Sequence, residues 1–182
     1  GGNVAENAGG MRAVKYGVTK NYVMGLEVVL AAGAILKTGG KAIKNVTGYD
    51  LTSLFTGSEG TLGVITRALF RLIPMPKRRG TLEVVFRTLD DGCRMIHAML
   101  QSAVVPAAAE IMDRTCLEVV ARHRKSELAP EAGASIVIEI DGDDDTALAA
   151  QAGRIEAEAK ACRAMTFRVA RTQQESDDIW AV

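Results

Sequence analysis

Thirteen of the 18 glycines in this 182-residue chain lie at or before Gly63, and that uneven distribution constrains the fold more than any other feature. Glycine lets a backbone adopt positive φ and approach a neighbour closely, but it weakens helices and strands from within. The first third is therefore expected to be dominated by loops shaped around a ligand, and the rest to be a regular packed layer structure. The change falls at Ile73-Pro74-Met75-Pro76-Lys77-Arg78-Arg79-Gly80, where two prolines and a short basic run read as a linker. Two domains follow, residues 1–74 and residues 75–182.

The second part repeats one architecture. Leu82, Val84 and Phe86 alternate with Glu83 and Arg87 as a strand. Asp90-Asp91 opens a helix with Cys93, Ile96, Leu100 and Ala103 on one face, and residues 106–112 return as a strand. The order recurs with Ile136, Ile138 and Ile140, an acidic turn at residues 141–145, a helix striped by Leu148, Ala152, Ile155, Ala159 and Cys162, and a strand over residues 165–171. Two βαβ units with an extra helix near residues 115–124 predict an α+β fold, a ferredoxin-like antiparallel sheet with helices on one face. Glu175, Asp177 and Asp178 open a last helix.

In the first part, residues 25–30 and 34–37 read as a hairpin around Ala31-Ala32-Gly33. Residues 51–56 read as a short helix capped by Asp50, and residues 62–72 as a long strand. The densest motif is Gly1-Gly2-Asn3-Val4-Ala5-Glu6-Asn7-Ala8-Gly9-Gly10. Two glycine pairs with amides between them can aim backbone N–H groups at a bulky ligand; a surface loop of tight turns fits the spacing equally. Gly57, Gly60 and Gly63 do not have the dinucleotide-fold spacing and lead into a strand instead of a helix. Gly40-Lys41 fails as a phosphate loop, because Ile35 and Ala42 stand where Gly and Ser or Thr are required.

Several function classes recede. Basic and acidic residues balance at 22 each and aromatic residues make up 4%, so nothing favours nucleic acid or an anionic membrane. The longest apolar run, residues 28–36, is too short to span a bilayer. Cys93, Cys116 and Cys162 are far apart, and with only His97 and His123 they offer no metal cluster; a reduced, cytoplasmic protein is expected. Each histidine reads as a surface or boundary residue, and Arg163, Arg168 and Arg171 as surface charges. Asp141-Gly142-Asp143-Asp144-Asp145 lacks the glycine and glutamate of a calcium loop, since Thr146 and Ala152 occupy those places.

The combination GGNVAENAGG, then Lys15-Tyr16-Gly17, then KNVTGYDL at residues 44–51 and FTGSEGTLGVIT at residues 55–66 resembles the FAD-linked oxidases of the vanillyl-alcohol oxidase and p-cresol methylhydroxylase superfamily. The likeness runs strongest over residues 1–72 and points to the branch of glycolate oxidase flavin subunits and D-lactate and D-2-hydroxyglutarate dehydrogenases. Ile111-Met112-Asp113 extends it into the second part. The resemblance implies the second half of a PCMH-type FAD-binding domain followed by the first part of a substrate-cap domain. It implies FAD as cofactor and oxidation of a small D-2-hydroxy acid, glycolate or D-lactate, to the 2-oxo acid by hydride transfer.

By the same resemblance, Gly2, Asn3, Asn7, Gly9 and Gly10 would line the pyrophosphate and flavin, and Glu59, Gly60, Gly63 and Ile65 would approach the adenosine half. No residue here matches a catalytic or metal motif. The family's other FAD loop and its histidines have no counterpart in the sequence, so the chain alone is expected neither to hold FAD tightly nor to turn over. Other glycolate oxidase subunits are expected partners, and a non-catalytic flavin-domain or assembly subunit of the same complex is the alternative reading.

Overall fold

A computed structural model describes residues 1–181 and divides the chain into two compact units, Gly1–Pro74 and Met75–Val182.

The first unit is built on a three-stranded antiparallel sheet, β1 (Val23–Val29), β2 (Ile35–Gly39) and β3 (Val64–Phe70), in the order β2-β1-β3. The hairpin turns where expected: the Leu30 N–H donates to the Ala34 carbonyl and the Gly33 N–H to the Leu30 carbonyl, with Gly33 at φ 79°. Three short helices accompany the sheet, α1 (Gly2–Ala5), α2 (Ala13–Tyr16) and α3 (Leu51–Phe55), with a 3-10 turn at Thr19–Asn21. Val4, Leu26, Val28 and Phe55 form the buried centre, with Ile65 and Ala68 packed against it. The strand expected over residues 62–72 is shorter at both ends, and its pairing with β1 shifts register between Glu27 and Val28, where both Thr66 and Arg67 fall opposite Glu27. Such a bulge bends the strand and re-aims its side chains.

The second unit has four strands, β4 (Arg78–Phe86), β5 (Ala108–Asp113), β6 (Ala134–Gly142) and β7 (Thr166–Val169), all antiparallel in the order β5-β6-β4-β7. This is the ferredoxin-like order. The crossover helices α4 (Leu89–Gln101) and α6 (Asp145–Ala161) bury one sheet face, where Leu82, Val84, Phe86, Ile136, Ile138 and Ile140 meet Met95, Met99, Ile155 and Ala159. Between the halves lies α5 (Arg114–Arg124), and α7 (Gln173–Trp180) closes the described chain. The Thr81 hydroxyl, on the strand face opposite Leu82, bonds Ser176 at 2.7 Å and accepts from the Trp180 indole at 3.2 Å, so α7 lies against the second face.

Three local expectations are corrected. Arg78, Arg79 and Gly80 belong to β4, paired with Gly142, Asp141 and Ile140, so the linker ends sooner. Asp141 is buried in β6 instead of sitting in an acidic turn, and the cap of α6 is Asp144, whose carboxylate accepts from the Ala147 N–H at 2.8 Å. The buried face of α4 is Gly92, Met95 and Met99, with Ile96 partly buried beside them, whereas Cys93, Leu100 and Ala103 are exposed.

Candidate functional site

The Gly1–Gly10 motif is a helical turn followed by a looped return. Val4 and Ala5 donate to the Gly1 carbonyl and Glu6 to Gly2, which closes α1, and the Ala8 N–H reaches back to Asn3. The N–H groups of residues 4–8 are thus satisfied within the motif. The motif is laced to the loop at residues 57–60: Gly57 donates to the Val4 carbonyl at 3.0 Å and Glu59 to the Ala5 carbonyl at 2.8 Å. The lacing holds unusual backbone on both sides. Asn7 (φ 50°) and Glu59 (φ 52°) both stand in the left-handed region, flanked by Gly57 (φ 84°) and Gly60 (φ 77°). Non-glycine residues rarely adopt that conformation and do so where surrounding structure over-determines them.

This lacing brings α1 alongside β3 and opens a groove of about 430 Å3 between them. Gly2, Asn3 and Ile65 line it together with Thr66, Arg67 and Phe70. Of the nine residues expected to meet the cofactor, these three share one surface, and the other six are arranged around the lacing. The Asn7 side-chain oxygen accepts from the Lys20 N–H at 2.8 Å, so its placement anchors the loop to the 3-10 turn. Gly9 packs where a Cβ would come within 3.1 Å of Val18, and the Gly10 carbonyl receives the Ala13 N–H that starts α2. Glu59 and Gly60 are exposed in the turn. Gly63 faces β1, where a Cβ would lie 2.7 Å from both Val28 Cγ1 and the Val29 carbonyl oxygen, so strand packing alone demands glycine there.

A different situation holds at Gly2 and Gly10: beyond the adjacent residues and the local helix backbone, nothing lies within 4 Å of where a Cβ would project. Gly2 therefore leaves space beside the groove that the unit itself does not fill. Ile65, Ala68 and the exposed Phe70 give the groove an apolar wall, and Asn3, Thr66 and Arg67 a polar one. Next to it, in the turn at residues 57–60, the Ser58 hydroxyl is buried with no hydrogen-bond partner. Open glycine, an apolar wall and nearby hydrogen-bonding groups suit part of a flat, polar-edged cofactor such as FAD. The contributions of Arg67 and Phe70 were not legible in the sequence, because the bulge at Thr66 and Arg67 breaks the two-residue alternation that would have placed them.

Elsewhere the charged groups do structural work. Asp91, buried at the start of α4, accepts from the Thr88 hydroxyl at 2.9 Å and from Arg163 at 2.5 Å, which holds its carboxyl below the ordinary 3.8. Arg163 thus clasps the end of α6 to the start of α4, and Arg168 lies 3.8 Å from Glu83. Bonding to Asp113 pushes the Cys116 thiol up, and burial does the same to Cys162; all three cysteines are free. His97 bonds Gln101 at 2.9 Å. Among the described residues no three His, Cys, Asp or Glu side chains gather as a metal site, and no helix is long and apolar enough to cross a membrane.

Residues 75–182 match the family FAD linked oxidases, C-terminal domain, and residues 1–39 match an FAD binding domain. The chain belongs to the FAD-linked oxidases. Among relatives, it is 43% identical over 176 residues to the glycolate oxidase subunit GlcD of Bacillus subtilis (strain 168), covering 97% of this chain and 37% of that one. It is 37% identical to D-lactate dehydrogenase of Anaerostipes hadrus over 100% of this chain and 40% of the relative. Identity to the mitochondrial D-2-hydroxyglutarate dehydrogenase of Rattus norvegicus is 43% over 68% of this chain and 23% of that one. A solved alkyldihydroxyacetonephosphate synthase shares the fold, with a TM-score of 0.72 at 17% identity over 96% of this chain and 34% of that chain. The chain thus spans at most about two fifths of the curated relatives described.

Proposed function

We propose that this chain is part of an FAD-dependent enzyme that oxidises a small D-2-hydroxy acid, glycolate or D-lactate, to the 2-oxo acid. Residues 1–74 are read as the later part of its FAD-binding domain and residues 75–182 as the earlier part of its substrate-cap domain. FAD, when bound, supplies the two-electron acceptor for the hydride that leaves the substrate's α-carbon. This chain's contribution is to hold and shield the cofactor. Gly2, Asn3 and Ile65 form the groove surface. Asn7, Gly9, Gly10, Glu59, Gly60 and Gly63 set the backbone that borders it.

The observation that carries this reading is the groove between α1 and β3, where no side chain from elsewhere in the chain fills the space beside Gly2. Catalytic groups are sought outside these residues. In the relatives, glycolate, D-lactate and D-2-hydroxyglutarate stand in the names themselves. Association with further subunits of a glycolate oxidase is proposed on the likeness to a protein named as such a subunit.

The test uses the full-length protein. Purified with FAD, it should show a flavin absorption band and reduce an artificial dye when given glycolate or D-lactate. Replacing Gly2 with Val should lower the flavin content at unchanged thermal stability. A full-length protein that carries no flavin, or a Gly2→Val protein that keeps its full complement, would sink the assignment.

A further inference from the structure

One buried polar contact of the first unit lies away from the groove. Thr38 Oγ1 on β2 and Thr52 Oγ1 on α3 are 2.8 Å apart, both residues are buried, and neither lines the groove. We propose that this hydroxyl pair positions the cofactor surface from a distance: it seats α3 on the sheet, α3 places the loop at residues 57–60, and that loop holds α1, one wall of the groove. The proposal rests on the reading of the groove as an FAD surface. Thr38 and Thr52 are positioning residues in it, acting through main-chain bonds.

The layout of the unit makes such a relay possible. Thr38 stands opposite Leu26 of β1, and Leu26 opposite Ala68 of β3, so the three share one sheet face. Both helices pack there, α3 against β2 and β1 and α1 against β3, and Phe55 and Val4 belong to one buried centre. The end of β2 is shaped to receive α3. Gly39 stands at φ 63°, and a Cβ there would come within 2.8 Å of Thr52 Oγ1, so glycine keeps the way from that hydroxyl to Thr38 open.

From Thr52 the connection to α1 is short. Its carbonyl accepts the Thr56 N–H at 3.1 Å and the Thr56 hydroxyl at 2.8 Å, which closes α3. The next N–H, that of Gly57, donates to the Val4 carbonyl, and that of Glu59 to the Ala5 carbonyl. Each link is a main-chain bond or a buried hydroxyl.

A hydroxyl pair does something that apolar packing does not. At five residues, α3 is too short to hold its own place, so tertiary contacts must seat it. Phe55 supplies apolar burial, which is non-directional. A hydrogen bond fixes a distance and an angle. Net, the pair contributes little beyond two apolar side chains of the same shape, because each hydroxyl gives up water to form it. Any other seating of α3, however, would leave two buried hydroxyls unpaired. The pair therefore selects one placement among several that apolar packing alone would accept.

Full-length protein, stripped of flavin, tests this by hydrogen exchange and by FAD titration. Thr38→Val/Thr52→Val removes both hydroxyls and keeps their shape, so its denaturation midpoint should stay near that of the wild type. Exchange over residues 56–61 should nevertheless become at least about tenfold faster, while residues 23–29 keep their protection. FAD should bind between about twofold and thirtyfold more weakly, the range over which indirect positioning acts. Thr52→Ser keeps the hydroxyl and should match the wild type in both. If the double variant loses its circular-dichroism spectrum, Thr52→Ala set against Thr52→Ser carries the test, and only alanine should speed exchange and weaken FAD. Unchanged exchange over residues 56–61 overturns the proposal. So does faster exchange with undiminished FAD affinity, faster exchange shared by residues 23–29, or serine behaving as alanine does. A wild type that binds no FAD sinks the reading of the groove instead, and exchange over residues 56–61 still decides whether the pair seats the loop.

Discussion

A methyl group at Gly63 would press against the Val29 carbonyl oxygen at 2.7 Å, whereas one at Gly2 would meet nothing within 4 Å. Two glycines that look alike in a motif thus have different physical reasons, and their alanine variants should separate. Gly63→Ala should destabilise the fold by about 1–3 kcal/mol through overpacking, seen as a lower denaturant midpoint. Gly2→Ala should leave that midpoint within about 0.5 kcal/mol. Equal effects at the two sites would remove the distinction. Asp91 offers a second test at this scale. Its pKa is lowered by the Thr88 hydrogen bond first and by Arg163 second, so its stabilising contribution is present above the ordinary carboxylate value of 3.8 and is lost as pH falls through the depressed folded value. The melting-temperature gap between the wild type and Asp91→Asn should be constant near neutrality and close as the pH drops below about 4. A gap that persists undiminished in acid would place the role of Asp91 elsewhere.

Among the elements, β6 has buried residues on both faces and pairs with β4 on one side and β5 on the other. Ile138, opposite both Leu82 and Ala109, is fully buried. Its replacement by alanine should cost about 2–5 kcal/mol, read from chemical denaturation; a loss under about 1 kcal/mol would mean the core closes around the cavity. At the start of α6, the Asp144 cap accepts from Ala147, and Asp144→Ala should cost about 1 kcal/mol. Element positions were largely legible, because the alternation of Leu82, Val84 and Phe86 and the stripe through Leu148, Ala152, Ile155 and Ala159 admit one phase each. The face of α4 was not. Apolar residues at 93, 95, 96, 98, 99, 100 and 103 support two phases about one residue apart, and only packing against the sheet selects Met95 and Met99 over Cys93 and Leu100.

For the whole molecule, residues 71–77 carry no regular structure, and most are exposed, Leu72 at 87% and Met75 at 79%. Limited trypsin digestion should therefore cut first after Arg71 or Lys77 and yield two fragments of the sizes of the two units. First cuts inside β4 or α6 would contradict the division. The boundary between the units falls where the composition changes, at the two prolines after the glycine-rich stretch. Family membership was likewise legible, since several long motifs in order carry it.

What the sequence alone determined was the class of the longer elements, the ferredoxin-like order of the second unit and the resemblance to FAD-linked oxidases. These depend on local propensity, on periodicity and on motifs contiguous in the chain. Tertiary structure alone decided which candidate residues share a surface. Gly2, Asn3 and Ile65 meet because backbone hydrogen bonds lace residues 4–5 to residues 57–59, and Thr66 and Arg67 turn as they do because of a bulge against Glu27. Both are long-range backbone events whose energies depend on partners far away in sequence.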